Sequence, residues 1–220
     1  MVLVQIRQKM ALKILYPRVD SLILGIAVQR FLLAIIRLSM THSNATVSPL
    51  VAENLSLLKA LKAEHGVLDL ACGNGRNGMH LVRNSIAVTF ADRNAEALAE
   101  IDSALAGGSG LGKTWLVDLE AEHSEPLAGT QFDAILVFNY LHRPLMNAIG
   151  RAIKNGGLLF YETFTTAQRE FGRPNNPDFL LRPGELQEYF SGWEILQYFE
   201  GERENPQRAV ASLIAKKPGP

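Results

Sequence analysis

The chain has 220 residues, 47% of them hydrophobic and 20% charged, a size and balance that suit one soluble α/β domain with appendages. Its single cysteine, Cys72, excludes an internal disulfide and fits a reducing, cytoplasmic setting. The zero net charge is uneven: residues 1–40 hold six basic residues and one acid, while 16 basic and 21 acidic residues leave 41–220 at −5, a poor general binder of nucleic acid.

Residues 1–47 read as an appendage and linker outside the domain. The apolar run at 21–36 is interrupted by Gln29 and Arg30 and falls short of the ~20 residues that span a bilayer. Membrane contact, if any, is expected only through residues 19–38, as a basic surface helix; a blander reading is an upstream extension, with translation starting at Met40. Pro49 then opens a helix with apolar positions at Leu50, Val51, Leu55, Leu58 and Leu61, which ends before Gly66.

Residues 67–70 read as a short apolar strand carrying Asp69. Gly73 and Gly75 follow in a turn that opens a helix through Met79, Leu81 and Val82. Such glycines let the backbone turn sharply and let a ligand approach main-chain N–H groups. In a dinucleotide fold a pyrophosphate sits on that helix N-terminus. Here Asp69, four residues before Gly73, projects a carboxylate into the ligand's place, which repels a pyrophosphate and attracts an amino group. Cys72 reads as a small residue packing beneath the ligand.

A second strand at 86–91 stops at Asp92, where this architecture places a carboxylate to accept both hydroxyls of a ribose. Arg93 adjoins it, and Asn94 caps a helix over 95–106. A third strand at 114–117 leads into Asp118 and Leu119. The fourth strand, 132–138, starts with a structural Asp133 and leaves the sheet at Asn139, Tyr140, Leu141, His142, Arg143 and Pro144, beside the first strand's end. A helix over 145–153 is ended by Asn155, Gly156 and Gly157, and a fifth strand starts at Leu158 and closes on Glu162, Thr163 and Phe164. Residues 164–182 lack periodicity and read as a lid over the site's mouth. A short helix over 185–190 precedes two strands, 193–199 and 208–215, close enough to form an antiparallel hairpin.

The pattern Asp69-x-x-x-Gly73-x-Gly75 resembles motif I of the class I S-adenosylmethionine-dependent methyltransferases. From about Ser48 to Lys216 the chain is most similar to the tellurite-resistance and thiopurine-type group of that superfamily. The likeness rests on residues 72–77, Asp92 and residues 139–144; residues 162–164 and 171–174 resemble a bacterial subgroup. It implies a methyltransferase domain over 48–217, built on a seven-stranded, mostly parallel Rossmann-like sheet with an antiparallel C-terminal strand and helices on both faces. It also implies S-adenosylmethionine as cofactor, contacted by Asp69, Cys72, Gly73, Gly75, Asp92, Arg93, Asp118, Leu119 and Asn139. In that scheme Asp118 accepts from the adenine amine and Leu119 donates a main-chain N–H; the plainer reading of Asp118 is a turn cap.

The expected activity is methyl transfer to a small molecule or small anion, with no metal. His142 reads either as a general base, imidazole being the side chain that exchanges protons near neutral pH, or as a helix-start residue. Arg76, Arg143 and Arg173 read as an anion-binding set or as solvated arginines. Tyr140 and Phe171 either wall the acceptor site or simply pack. An RNA or protein methyltransferase is the alternative, but residues 139–144 lack an Asn/Asp-Pro-Pro-Tyr/Phe type motif and the body lacks a basic patch. An inactive cofactor-binding regulator is opposed by the intact acids and glycines, and a dinucleotide oxidoreductase by Asp69.

Overall fold

The computed structural model describes residues 46–219. The expectations for the appendage, including membrane contact through 19–38, fall almost wholly outside these residues. Among the described residues no helix is long and apolar enough to cross a membrane.

The domain opens with Ser48, whose hydroxyl accepts the Leu50 N–H and whose own N–H donates to the buried Asn77 Oδ1 at 2.9 Å. The expected single helix is instead two, α1 (Pro49–Glu53) and α2 (Leu55–Lys59). The break falls at Asn54, whose side-chain amide donates to the Leu50 carbonyl and to Gln197 Oε1, both at 3.0 Å. An asparagine that bonds its own backbone this way competes with the helical ladder.

The sheet follows: β1 (Val67–Leu70), α3 (Arg76–Arg83), β2 (Val88–Asp92), α4 (Ala95–Leu105), β3 (Gly112–Leu116), β4 (Phe132–Phe138), α5 (Met146–Ala152), β5 (Ile153–Phe164), α6 (Glu185–Tyr189), β6 (Glu194–Arg203) and β7 (Arg208–Lys216). The strand order is β3-β2-β1-β4-β5-β7-β6. The first five strands are parallel; β7 runs antiparallel between β5 and β6, in register from Leu158↔Lys216 to Phe164↔Val210.

Every residue of β4 is buried, and its side chains alternate between two cores. Ala134, Leu136 and Phe138 join Leu50, Leu81, Leu98 and Ile101 of α1, α3 and α4 on one face, while Ile135 and Val137 join Met146, Ile149 and Leu186 of α5 and α6 on the other. The crossovers therefore switch faces between β1 and β4, and the crevice at such a switch point is where open α/β sheets hold ligands.

β2, β3 and β6 are shifted from their expected bounds by one to four residues at an end, and two larger differences flank α5. The 143–145 segment is a 3₁₀ turn that leads into α5, and β5 starts at Ile153 rather than Leu158. Asn155, Gly156 and Gly157 do not end a helix. They form an irregularity at which pairing jumps from Phe132↔Ile153 to Ala134↔Leu158. Glycine serves there because a Cβ on Gly157 would lie 2.6 Å from the Asp133 carbonyl oxygen. Asp133 is structural, as expected. Its Oδ2 accepts the N–H groups of Glu64, His65 and Gly66, and its Oδ1 pairs with Lys154 at 2.7 Å, fixing the entry to β1.

Candidate active site

The glycine turn sits at the top of β1 in a left-handed backbone: φ is 51° at Ala71, 54° at Gly73 and 70° at Gly75. A Cβ placed on Gly73 would meet no atom within 4 Å, so the outer side of the turn is open to a ligand. Gly78, which the sequence reading passed over, is constrained from within. A Cβ there would lie 2.4 Å from Phe90 Cε1 and 2.8 Å from Asp69 Oδ2.

Asp69 does not project into the ligand's place. It is 3% exposed, and its Oδ2 accepts the Gly78 N–H at 2.8 Å, so it caps α3 from beneath the turn. The inner N–H groups of that helix are unpaired by the backbone and hold the carboxylate down. Burial outweighs this bond and pushes the Asp69 carboxyl up to about 7. Cys72 lies beside it, half-buried, with its thiol on the Gly73 carbonyl at 3.6 Å; burial and the two nearby aspartates push the thiol up and keep it protonated.

Asp92 reaches across from β2. Its Oδ2 accepts the Gly73 N–H and its Oδ1 the Asn94 N–H, both at 2.8 Å. One strand further out, Asp118 is exposed and its Oδ1 accepts the Glu120 N–H at 2.9 Å, the turn cap of the plainer reading, while Leu119 is buried beside it. Arg93 is exposed and pairs loosely with Glu120 at 3.8 Å. Tyr140 belongs to this neighbourhood too. Burial raises its hydroxyl above the ordinary phenol range, with Glu120, Arg93 and Asp118 as its charged neighbours. The tyrosine thus flanks the outer, β3 end of the site.

Asn139 leaves β4 with φ 54° and donates its N–H to the Glu162 carbonyl at 2.9 Å. It borders a cleft of about 870 Å³ that extends away from β3 over β5, β7 and β6. Arg76 and Arg173 line this cleft, as do three residues the sequence reading missed: Gln168, Arg203 and Arg208. His142 and Phe171 do not line it; both are half-buried, His142 at the start of the 3₁₀ turn.

Arg143 is not an anion receptor. Its Nε and Nη2 donate to the two oxygens of Glu185 at 2.7 and 2.9 Å, and its remaining reach goes to the carbonyls of Asp178 at 3.0 Å and Leu180 at 2.8 Å. Glu185 is 1% exposed, and the guanidinium holds its carboxyl down at about 2. The pair ties α6 to the 177–182 stretch of the expected lid. That lid is anchored at a second point, where the buried Gln168 accepts the Ala209 N–H at 2.9 Å and donates to the Arg173 carbonyl at 3.2 Å.

The floor of the cleft could have been found from sequence. Glu162 is an acid inside a fully buried strand run, and a buried carboxylate demands cationic partners. They are Arg208, whose Nη2 is 3.1 Å from Oε1, and Arg203, whose Nε is 3.8 Å from Oε2.

A family model described as "Tellurite resistance protein TehB" matches residues 37–207. The chain belongs to the TehB family. A curated relative, the probable S-adenosyl-L-methionine-dependent methyltransferase TehB of Haemophilus influenzae, is 29% identical over 143 residues, covering 61% of this chain and 48% of that protein. The chain therefore spans about half the length of that TehB. The crystal structure of TehB from Haemophilus influenzae matches with a TM-score of 0.61 at 23% identity, over 80% of this chain and 64% of that one. Magnesium protoporphyrin IX methyltransferase from Synechocystis PCC 6803, solved with bound SAH, matches with a TM-score of 0.57 at 15% identity, over 76% and 80% of the two chains. These structural likenesses show the fold, a Rossmann-like methyltransferase sheet.

Proposed function

We propose that this TehB-family chain is an S-adenosylmethionine-dependent methyltransferase acting on a small-molecule or small anionic acceptor. The observation that carries the reading is Asp92 bonded to the Gly73 N–H at 2.8 Å, which joins the second strand's acid to an open glycine turn at the sheet's switch point. The bound cofactor supplies an electrophilic methyl group on a sulfonium.

This chain's residues hold and orient. Asp92 keeps lone pairs on both carboxylate oxygens for the ribose hydroxyls. The Gly73 turn supports the cofactor's amino-acid end, with Asp69 beneath it attracting the ammonium. Asp118, the Leu119 N–H and Tyr140 flank the adenine. Asn139 stands where the methyl and the acceptor meet. Alignment of the reacting atoms is the main contribution, worth about 7 to 11 kcal/mol in favourable cases. His142 serves as base only for an acceptor that must lose a proton. The lone Cys72 supports a reducing, cytoplasmic setting.

The test is calorimetric titration of the purified protein with S-adenosylmethionine and, separately, with NADH. Micromolar binding of the first alone supports the reading. A folded sample that binds neither, or NADH alone, overturns it.

A further inference from the structure

The cleft beside Asn139 is large for a small oxyanion, since about 870 Å³ falls in the range of pockets that hold drug-sized molecules. Two of its arginines, Arg203 and Arg208, come from the β6–β7 hairpin rather than from the glycine-turn side. Along the top edge β4 and β7 are two strands apart, ~10 Å at ~4.8 Å per strand, and Arg208 stands beyond Val210, the partner of Phe164 at the end of β5, so its backbone is set off from Asn139 both across the sheet and along β7. Arg203, at the end of β6, is one strand further.

Those two guanidiniums are held in place from below. Glu162 pairs with both, Arg203 Nη2 also donates to Ser212 Oγ at 3.3 Å, and its Cζ lies 4.3 Å over the Phe199 ring. Among the described residues no acceptor engages Nη1 of Arg203, or Nε and Nη1 of Arg208, and both residues border the cleft. The charge count is also specific. Over the whole cleft Arg76, Arg173, Arg203 and Arg208 oppose Glu202, Glu204 and the buried Glu162, leaving one net positive charge, which favours an anion of low charge. Phe164 and Phe199 supply apolar walls of the cleft.

We infer that the acceptor is an organic monocarboxylate with an apolar body. Its carboxylate docks on Arg203 and Arg208 above Glu162, and its nucleophilic atom lies in the same cleft beside Asn139. This rests on the methyltransferase reading and names its substrate class. In the transfer, a lone pair on that distal atom forms the new bond to the methyl carbon as the sulfur–methyl bond breaks and its electron pair returns to sulfur. A proton carried by the nucleophile leaves to solvent, and the carboxylate is unchanged. Glu162 acts only through the arginines and is a positioning residue.

The test uses the full chain saturated with S-adenosylhomocysteine, titrated by calorimetry with three matched pairs: 4-hydroxybenzoate, 4-hydroxyphenylacetate and trans-4-hydroxycinnamate, each against its carboxamide. At least one carboxylate is expected to bind 1:1 and 30-fold or more tighter than its amide. The ratio is expected to fall below about 5-fold in Arg208→Gln and, should that variant unfold, in Glu162→Gln/Arg208→Gln, which removes the buried charge together with its partner. Equal binding within all three pairs, a preference that survives both variants, or tighter binding of phenyl phosphate than of any carboxylate overturns the assignment. If S-adenosylhomocysteine itself does not bind, the methyltransferase reading falls as well, so the two failures are told apart in one experiment.

Discussion

Asp92 and Gly73 are 19 residues apart in sequence, yet a 2.8 Å hydrogen bond from the Gly73 N–H to the Asp92 carboxylate locks the top of β2 to the turn after β1. The same carboxylate is the proposed partner of the ribose. In Asp92→Asn the amide still accepts one bond but brings no charge, so S-adenosylhomocysteine affinity is expected to drop about 10-fold, and in Asp92→Ala about 100-fold, in line with ~1.5–3 kcal/mol for a bond to a charged group. Calorimetry with circular dichroism as a folding control checks both.

The closest internal contact of the site is at Gly78. A Cβ there would overlap the Phe90 ring and crowd Asp69 Oδ2, both on buried strands. Gly78→Ala is expected to destabilise the fold by about 1–3 kcal/mol, the usual cost of overpacking. Urea unfolding measures it, and a midpoint equal to that of the wild type would contradict the packing described.

Asp69 carries a pH signature. With its folded pKa raised to about 7 by burial, against ~3.9 unfolded, the native state binds the extra proton across that window. Its contribution to stability is therefore complete below about pH 4 and is lost as pH rises through 7. Subtracting the curve of Asp69→Asn from that of the wild type should reveal this fall. An ammonium bound above the turn favours the charged form, so cofactor affinity is expected to rise from pH 6 to 8 in the wild type and to lie flat in Asp69→Asn.

The Arg143–Glu185 pair predicts an asymmetry. Arg143→Met leaves a carboxylate that is 1% exposed with only the Arg182 N–H at 2.8 Å and the exposed Arg182 guanidinium at 3.4 Å as partners, and is expected to cost about 1–3 kcal/mol. Glu185→Gln leaves a guanidinium that is 30% exposed and can reach water, so its cost should be smaller. Limited proteolysis should cut residues 171–182 faster in Arg143→Met. Equal unfolding midpoints for the two variants would show that the pair does not secure this segment.

The parallel sheet was legible because its strands are short, mostly apolar runs bounded by turn residues: the expected and observed bounds of β1 and β4 coincide. Gly73 and Gly75 just past β1, and Asp92 at the end of β2, were legible because a strand end is a local signal. What the sequence hid is non-local. The partner of Arg143 is 42 residues away, the partners of Glu162 come from a hairpin more than 40 residues later, and Gly78 is explained only by a ring on the next strand. The glycines at 156 and 157 misled because a helix stop and a strand irregularity use the same residues. Asp69 misled because its position in the motif does not reveal that its carboxylate turns downward.

The antiparallel strand β7, made last, slots between two strands that are already present. On the ribosome, a chain emerging N-terminus first at about 5–20 residues per second exposes β1 to β4 early, and with them the whole proposed cofactor edge. Strand β6 then has no neighbour to pair with, and β5 is left with an open flank. Only when residues 208–216 arrive do both edges close, and at the same moment Arg208 reaches Glu162. The strands of the proposed donor edge are therefore synthesised before those of the proposed recipient pocket, which closes only when β7 pairs with β5 and β6.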